Sequence, residues 1–182
     1  MTSTLRAAAA ATASAALLLT LAACSSPAPE PTPSATETKS VVVLDRACAD
    51  DSGVTVAIDA SALEDGDSKA WCIGTDENLA AADALTLVNV TTEGTDEYGD
   101  QVVCRVNGVP AEDVAIPAED GSDYFETCQS MPAAFAYWSI WTKPAGGEWG
   151  YAQEGLSTLQ LAPGDALELL FTLNGEPAAP AS

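Results

Sequence analysis

Apolar and polar positions alternate over residues 54–58 (Val54-Thr55-Val56-Ala57-Ile58), and the apolar ones are β-branched. A period of two in such residues predicts a strand with one buried face. Over 79–90 the period changes: Ala81, Ala84, Leu85 and Val88 fall on one face of a helix, with Asn78 where an N-cap would stand and Asp76 and Glu77 at the positive end of the dipole. Residues 101–106 predict a second strand, closed by the tight-turn pair Asn107-Gly108. Residues 110–134 are polar, contain proline and follow neither period. Residues 137–142 and 149–153 predict two aromatic strands about Lys143-Pro144-Ala145-Gly146-Gly147-Glu148, and residues 166–173 a last strand. Asp65-Gly66-Asp67 and Pro163-Gly164 mark turns. One helix among at least five strands is an α+β pattern: a mixed sheet with a helix packed on one face, and β-hairpins.

The start of the chain obeys a different pattern. Arg6 precedes an apolar run over 15–21, too short for a bilayer span, which needs ~20 apolar residues. The run ends in Leu21-Ala22-Ala23-Cys24, which resembles a lipobox, where a diacylglyceryl group joins the cysteine sulfur and the leader is cut before it. An ordinary secretory leader with Ala-x-Ala cleavage is the plainer alternative. Residues 25–40 are rich in Ser, Pro and Thr and poor in apolar bulk, the composition of a disordered tether. The expected organisation is a lipoprotein signal peptide at 1–23, lipidated Cys24 and tether at 24–40, a folded domain at 41–174 and a disordered tail at 175–182. The membrane is then a partner through acylated Cys24, on the extracytoplasmic face of the cell membrane.

With Cys24 lipidated, Cys48, Cys72, Cys104 and Cys128 remain, an even set in an exported chain and hence a disulfide framework. Three pairings can be drawn. Cys48–Cys72 with Cys104–Cys128 is favoured because each link closes a short local loop. The formal charge of −21, from 27 acidic and 6 basic residues, opposes nucleic acid as a partner. The acids are spread thinly. The densest groups, Asp65/Asp67, Asp96/Glu97/Asp100 and Glu119/Asp120/Asp123, lack the ordered spacing of a calcium loop, so no metal is expected. The chain has no histidine, no Gly-x-Ser-x-Gly and no phosphate-binding glycine loop. A non-enzymatic protein with no cofactor is expected.

The aromatic hairpin is the candidate site. With its turn centred on Ala145, Trp141 would lie opposite Trp149 and Ser139 opposite Tyr151. Alternation then puts Tyr137, Ser139, Trp141, Trp149 and Tyr151 on one face, with Trp138 and Ile140 on the other. One arrangement buries both faces, under the helix and under a loop such as 110–134. The other leaves Tyr137, Trp141, Trp149 and Tyr151 as a stacking platform, with Trp138 in the core and Trp141 at the surface.

The residues Val103-Cys104-Arg105-Val106-Asn107-Gly108 and Tyr137-Trp138-Ser139-Ile140-Trp141, with Gly147-x-Trp149-x-Tyr151 and Pro163-Gly164-Asp165, carry a resemblance. Over about residues 48–174 the chain resembles secreted actinobacterial proteins whose domain is similar to the C-terminal domain of transcobalamin and intrinsic factor. The resemblance implies a β-grasp-like fold. In the cobalamin carriers that domain covers the ligand together with a helical domain, which this chain lacks. The expectation is a cell-surface binding module. It would take a small planar ligand such as a corrinoid, or dock on a membrane transporter component, as an accessory to cofactor uptake. The alternative is a protein-interaction or glycan-binding envelope domain.

Overall fold

A computed structural model describes residues 41–64 and 66–181. The leader, Cys24 and the tether lie outside the described residues. The fold is α+β. Its strands are β1 (Val42–Leu44), β2 (Gly53–Asp59), β3 (Ser68–Gly74), β4 (Leu79–Ala80), β5 (Thr92–Thr95), β6 (Gly99–Val106), β7 (Ile116–Pro117), β8 (Asp123–Tyr124), β9 (Ala136–Lys143), β10 (Gly150–Tyr151), β11 (Gln160–Leu161) and β12 (Ala166–Leu173), and its α-helix is α1 (Ala81–Leu87). Six strands form one sheet in the order β1-β3-β2-β12-β9-β10. Its central pair, β2 and β12, is parallel and the other pairings are antiparallel. Three two-stranded ladders, β4 with β11, β5 with β6 and β7 with β8, stand apart from it.

Alternation decides what each face of the sheet meets. Val54, Val56 and Ile58 of β2, Leu167, Leu169 and Phe171 of β12, and Ala136 and Trp138 of β9 enter one hydrophobic core with Ala81, Ala84 and Leu85 of α1. Trp138 meets Phe171 edge-on, ring centroids 5.3 Å apart, and its indole N–H donates to the Val109 carbonyl at 2.9 Å. The intervening residues point to the other side of the sheet, called here the outer face.

The helix is shorter than its apolar stripe. Asn78 does not cap it. Leu79 and Ala80 pair instead with Leu161 and Gln160, Ala80 is the N-cap residue with no side-chain bond, and the Ala81 amide donates to Leu159. Backbone pairing with a distant strand has displaced a local cap. Strand β3 escaped the alternation argument although Lys69, Trp71 and Ile73 fall on its inner side. The segment expected to be irregular, 110–134, carries the short β7–β8 hairpin.

Both favoured disulfides are present, Cys48–Cys72 and Cys104–Cys128, each spanning 24 positions. They serve opposite sides. Cys72 lies on the outer face of β3, while Cys104–Cys128 ties β6 to the segment leading into β9. The expectation of a disordered tail is corrected over its described part. Leu173 and Glu176 exchange backbone bonds, Thr172 Oγ1 donates to the Pro177 carbonyl, and Pro180 is buried. A Asn174-Gly175 turn at positive φ folds the segment back onto the sheet.

Candidate functional site

The outer face is built in rows that cross the sheet. One row runs Cys72, Thr55, Ala166, Lys143. The next runs Ala70, Ala57, Glu168, Trp141, Tyr151, and a third Ser68, Asp59, Leu170, Ser139. On the β3 and β2 side the side chains are short. On the β9 and β10 side they are long or aromatic. The difference in height leaves a groove of about 740 Å³ whose floor includes Thr55, Ala57, Ala70, Ala166 and Glu168. Trp149 and the Lys143–Pro144 turn wall one side, and the loop at Cys48–Asp51 closes an end.

That rim is held by backbone geometry. Gly164 has φ of +93°, and a Cβ there would lie 2.7 Å from Ala145 Cβ and 3.1 Å from Asp51 Cβ. Three loops therefore meet at a position only glycine fits. The Asp165 carboxylate accepts from the Ala145 and Ala162 amides at 3.1 and 2.8 Å, locking the hairpin turn to the turn before β12. The Cys48 amide donates to Thr55 Oγ1 at 3.0 Å, and the Cys48–Cys72 disulfide holds the same loop down. The groove is preformed in this sense, as ligand seats usually are.

Glu168 stands in the middle of the floor and is 7% exposed. Among the described residues nothing hydrogen-bonds or ion-pairs with its carboxyl. Burial, and then the nearby Asp59 carboxylate, push its pKa up to about 7. Asp59 sits one row along on the adjacent strand and accepts the Ser61 amide at 2.8 Å. Neither residue was a candidate from the sequence.

The four aromatic candidates separate. The hairpin pairs Trp141 with Tyr151 rather than with Trp149, because the Pro144–Gly147 turn leaves Trp149 outside the ladder and the register moves by two residues. A shift of two keeps every side chain on its expected side. Trp141 is 7% exposed, not the surface residue expected. Its ring stacks beneath Tyr151 at 4.0 Å, and its indole N–H donates to Ser139 Oγ, which donates in turn to the Leu170 carbonyl. Tyr151 is 54% exposed and forms the lid. Partial burial, and then the neighbouring Tyr137 hydroxyl, raise its phenol above the usual range. Trp149 is half-buried on the groove wall, with the Lys143 ammonium 5.8 Å from its ring centroid. Trp138, expected in the core, is there at 6% exposure. Trp149 therefore belongs to the groove, while Trp141, Tyr151 and Tyr137 make a stacked shoulder beside it.

One trio of metal-type side chains lies close together among the described residues: Cys104, Glu126 and Cys128. Its two sulfurs are joined in the disulfide and carry no lone thiolate, so they are not ligands.

No family model, curated protein or solved structure matches this chain.

Proposed function

We propose that this chain is a non-enzymatic binding module, lipid-anchored through Cys24 at the cell surface, whose ligand seat is the outer-face groove. The observation that carries the reading is Glu168, a residue more than nine-tenths buried in the floor of a preformed groove, whose carboxyl opens to that groove with no partner among the described residues. Its oxygens reach solvent at the groove, where a donor brought by a ligand can bond them. The parallel pairing of the first long strand with the last, and the helix packed over one face, support a β-grasp-like domain. The resemblance to the transcobalamin C-terminal domain makes a corrinoid one candidate ligand, with the domain an accessory to its capture or uptake. A glycan or a protein partner at the same face is the alternative.

Ala57 lies half-buried on the groove floor and outside the core, so Ala57→Phe fills the groove without entering the packed side of the sheet. Cobalamin and soluble cell-wall glycan fragments, titrated into the full chain and followed by Trp149 indole resonances, are the test. One of the two should bind saturably and lose binding in Ala57→Phe. Failure of both to bind overturns the corrinoid and glycan readings, and equal binding by the variant overturns the groove as the seat.

A further inference from the structure

Resting on the groove as the seat, the ligand can be assigned a chemical class. We propose that the groove takes a small organic amine. Its cationic N–H group would meet the carboxyls of Glu168 and Asp59, and its apolar stem would lie along Ala57, Ala70 and Ala166 beside Trp149.

Access comes first. Among the described residues no fully occluded side-chain nitrogen or oxygen lacks a hydrogen-bond partner. Glu168 has no partner, so its oxygens must reach solvent, and the groove they line is where they reach it. The carboxyl is thus aimed into the cavity rather than sealed beneath it. An acceptor held in this way gains most from a donor that is itself charged.

Sign comes second. Asp50, Asp51, Asp59 and Glu168 line the groove against two lysines. Lys69 is already paired with Asp67 at 2.7 Å, and Lys143 lies over the Trp149 ring. Neither neutralises Glu168. The Trp149 ring face already accommodates an ammonium from this chain, so the wall tolerates a cation.

The donor set then separates an amine from a metal ion. Calcium requires about six to eight oxygen ligands. Among the described residues the groove supplies no cluster of three ligand atoms, the one such cluster being Cys104, Glu126 and Cys128 on the other side of the sheet. Two carboxyls beside the alanines of the floor suit an N–H cation carried on an apolar stem.

The probe is n-pentylamine, with pentan-1-ol and pentanoate as neutral and anionic controls of the same length. Binding is read from the Trp149 and Ala57 resonances of the full chain at about pH 8, where Glu168 is ionised. Pentylamine should bind saturably and the two controls should not. Glu168→Gln should weaken pentylamine at least ~10-fold, equivalent to ~1.4 kcal/mol. Asp59→Asn should weaken it in the same direction, to a smaller extent. Lowering the solution to about pH 5 should weaken pentylamine in the wild type. The other charged groups facing the groove are Asp59 on β2, Lys143 on β9, and Asp50 and Asp51 in the loop; Lys69 on β3 borders it but belongs to the inner side of the strand and pairs with Asp67. Glu168→Gln retains all of them and should lose most of the pH dependence. Equal binding of pentanol, or a Glu168→Gln variant that matches wild type, overturns the amine and leaves the groove as a seat for another ligand. Pentylamine binding that survives Ala57→Phe overturns the seat itself.

Discussion

Arg105 and Glu168 are buried to almost the same degree, at 8% and 7% exposure, on opposite sides of the molecule's main sheet. Their surroundings differ completely. The Arg105 guanidinium donates to the Pro110 carbonyl at 2.8 Å, the Glu126 carbonyl at 2.6 Å and the Glu93 carboxylate at 2.9 Å. It knits β6 to the segment between β6 and β9, and Cys104–Cys128 bonds the same two stretches covalently. Around it the Glu126 carboxylate accepts from the Tyr124 hydroxyl and the Cys128 amide. Glu168 has none of this. A buried charge each of whose nitrogens is bonded within the fold belongs to the architecture. One left unmatched at the floor of a groove is a function of the surface above it.

Breaking Arg105 should give the largest effect. Arg105→Leu strips the donor from two backbone carbonyls and from Glu93, and removal of one member of a buried charged network costs about 3–5 kcal/mol. Denaturant unfolding of the full chain should show a loss of that size. A loss below about 1 kcal/mol would mean that the segment is held by the disulfide alone and that the two buried charges are more alike than their contacts indicate.

The Glu168 side of the comparison is read by pH. Its folded-state pKa of about 7 lies above the ordinary carboxyl value of 4.5. The folded protein therefore binds more protons than the unfolded chain between those values. The favourable contribution of the protonated form is fully present below about pH 4.5, is lost as pH rises toward about 7, and is absent above it. The expected fall is on the order of 2 kcal/mol, reduced by the solvent that the groove admits. Glu168→Gln should be nearly flat over the window and more stable than wild type above it. A wild-type profile that rises there would contradict the burial of an unpartnered carboxyl.

How much of this was legible beforehand follows from range. Strand β12 is legible in residues 166–173, and the Cys48–Cys72 and Cys104–Cys128 links in their spacing, because those signals are local. The helix does not start after Asn78 because Leu79 and Ala80 answer to Leu161 and Gln160, some 80 positions away. Glu168 carried a faint signal, a lone acid inside the apolar run Ala166-Leu167-Glu168-Leu169-Leu170-Phe171. Its meaning depended on Ala57 and Ala70 arriving beside it from two other strands, which no periodicity within 166–173 reports. The aromatic hairpin lay between these cases. Its faces were readable from alternation, but its register depended on a turn that held Trp149 out of the ladder.

The smallest effect sharpens the contrast between the two faces at their tryptophans. Trp138 and Trp141 are equally buried, yet only Trp141 is covered by an exposed ring. Both indole N–H groups are donated, Trp138 to the Val109 carbonyl and Trp141 to Ser139 Oγ, each at 2.9 Å. Tyr151→Ala removes the lid from one and leaves the other untouched. Because Tyr151 is more than half exposed and sits on a two-residue edge strand, its loss should cost less than about 1 kcal/mol. Hydrogen exchange of the indole protons gives the discriminating reading: Trp141 should exchange faster in the variant while Trp138 stays protected. Equal acceleration at both would show that the outer shoulder and the core open as one unit. No change at either would show that Trp141 is shielded by something other than the Tyr151 ring, and the two faces would then differ only in the groove that the outer one carries.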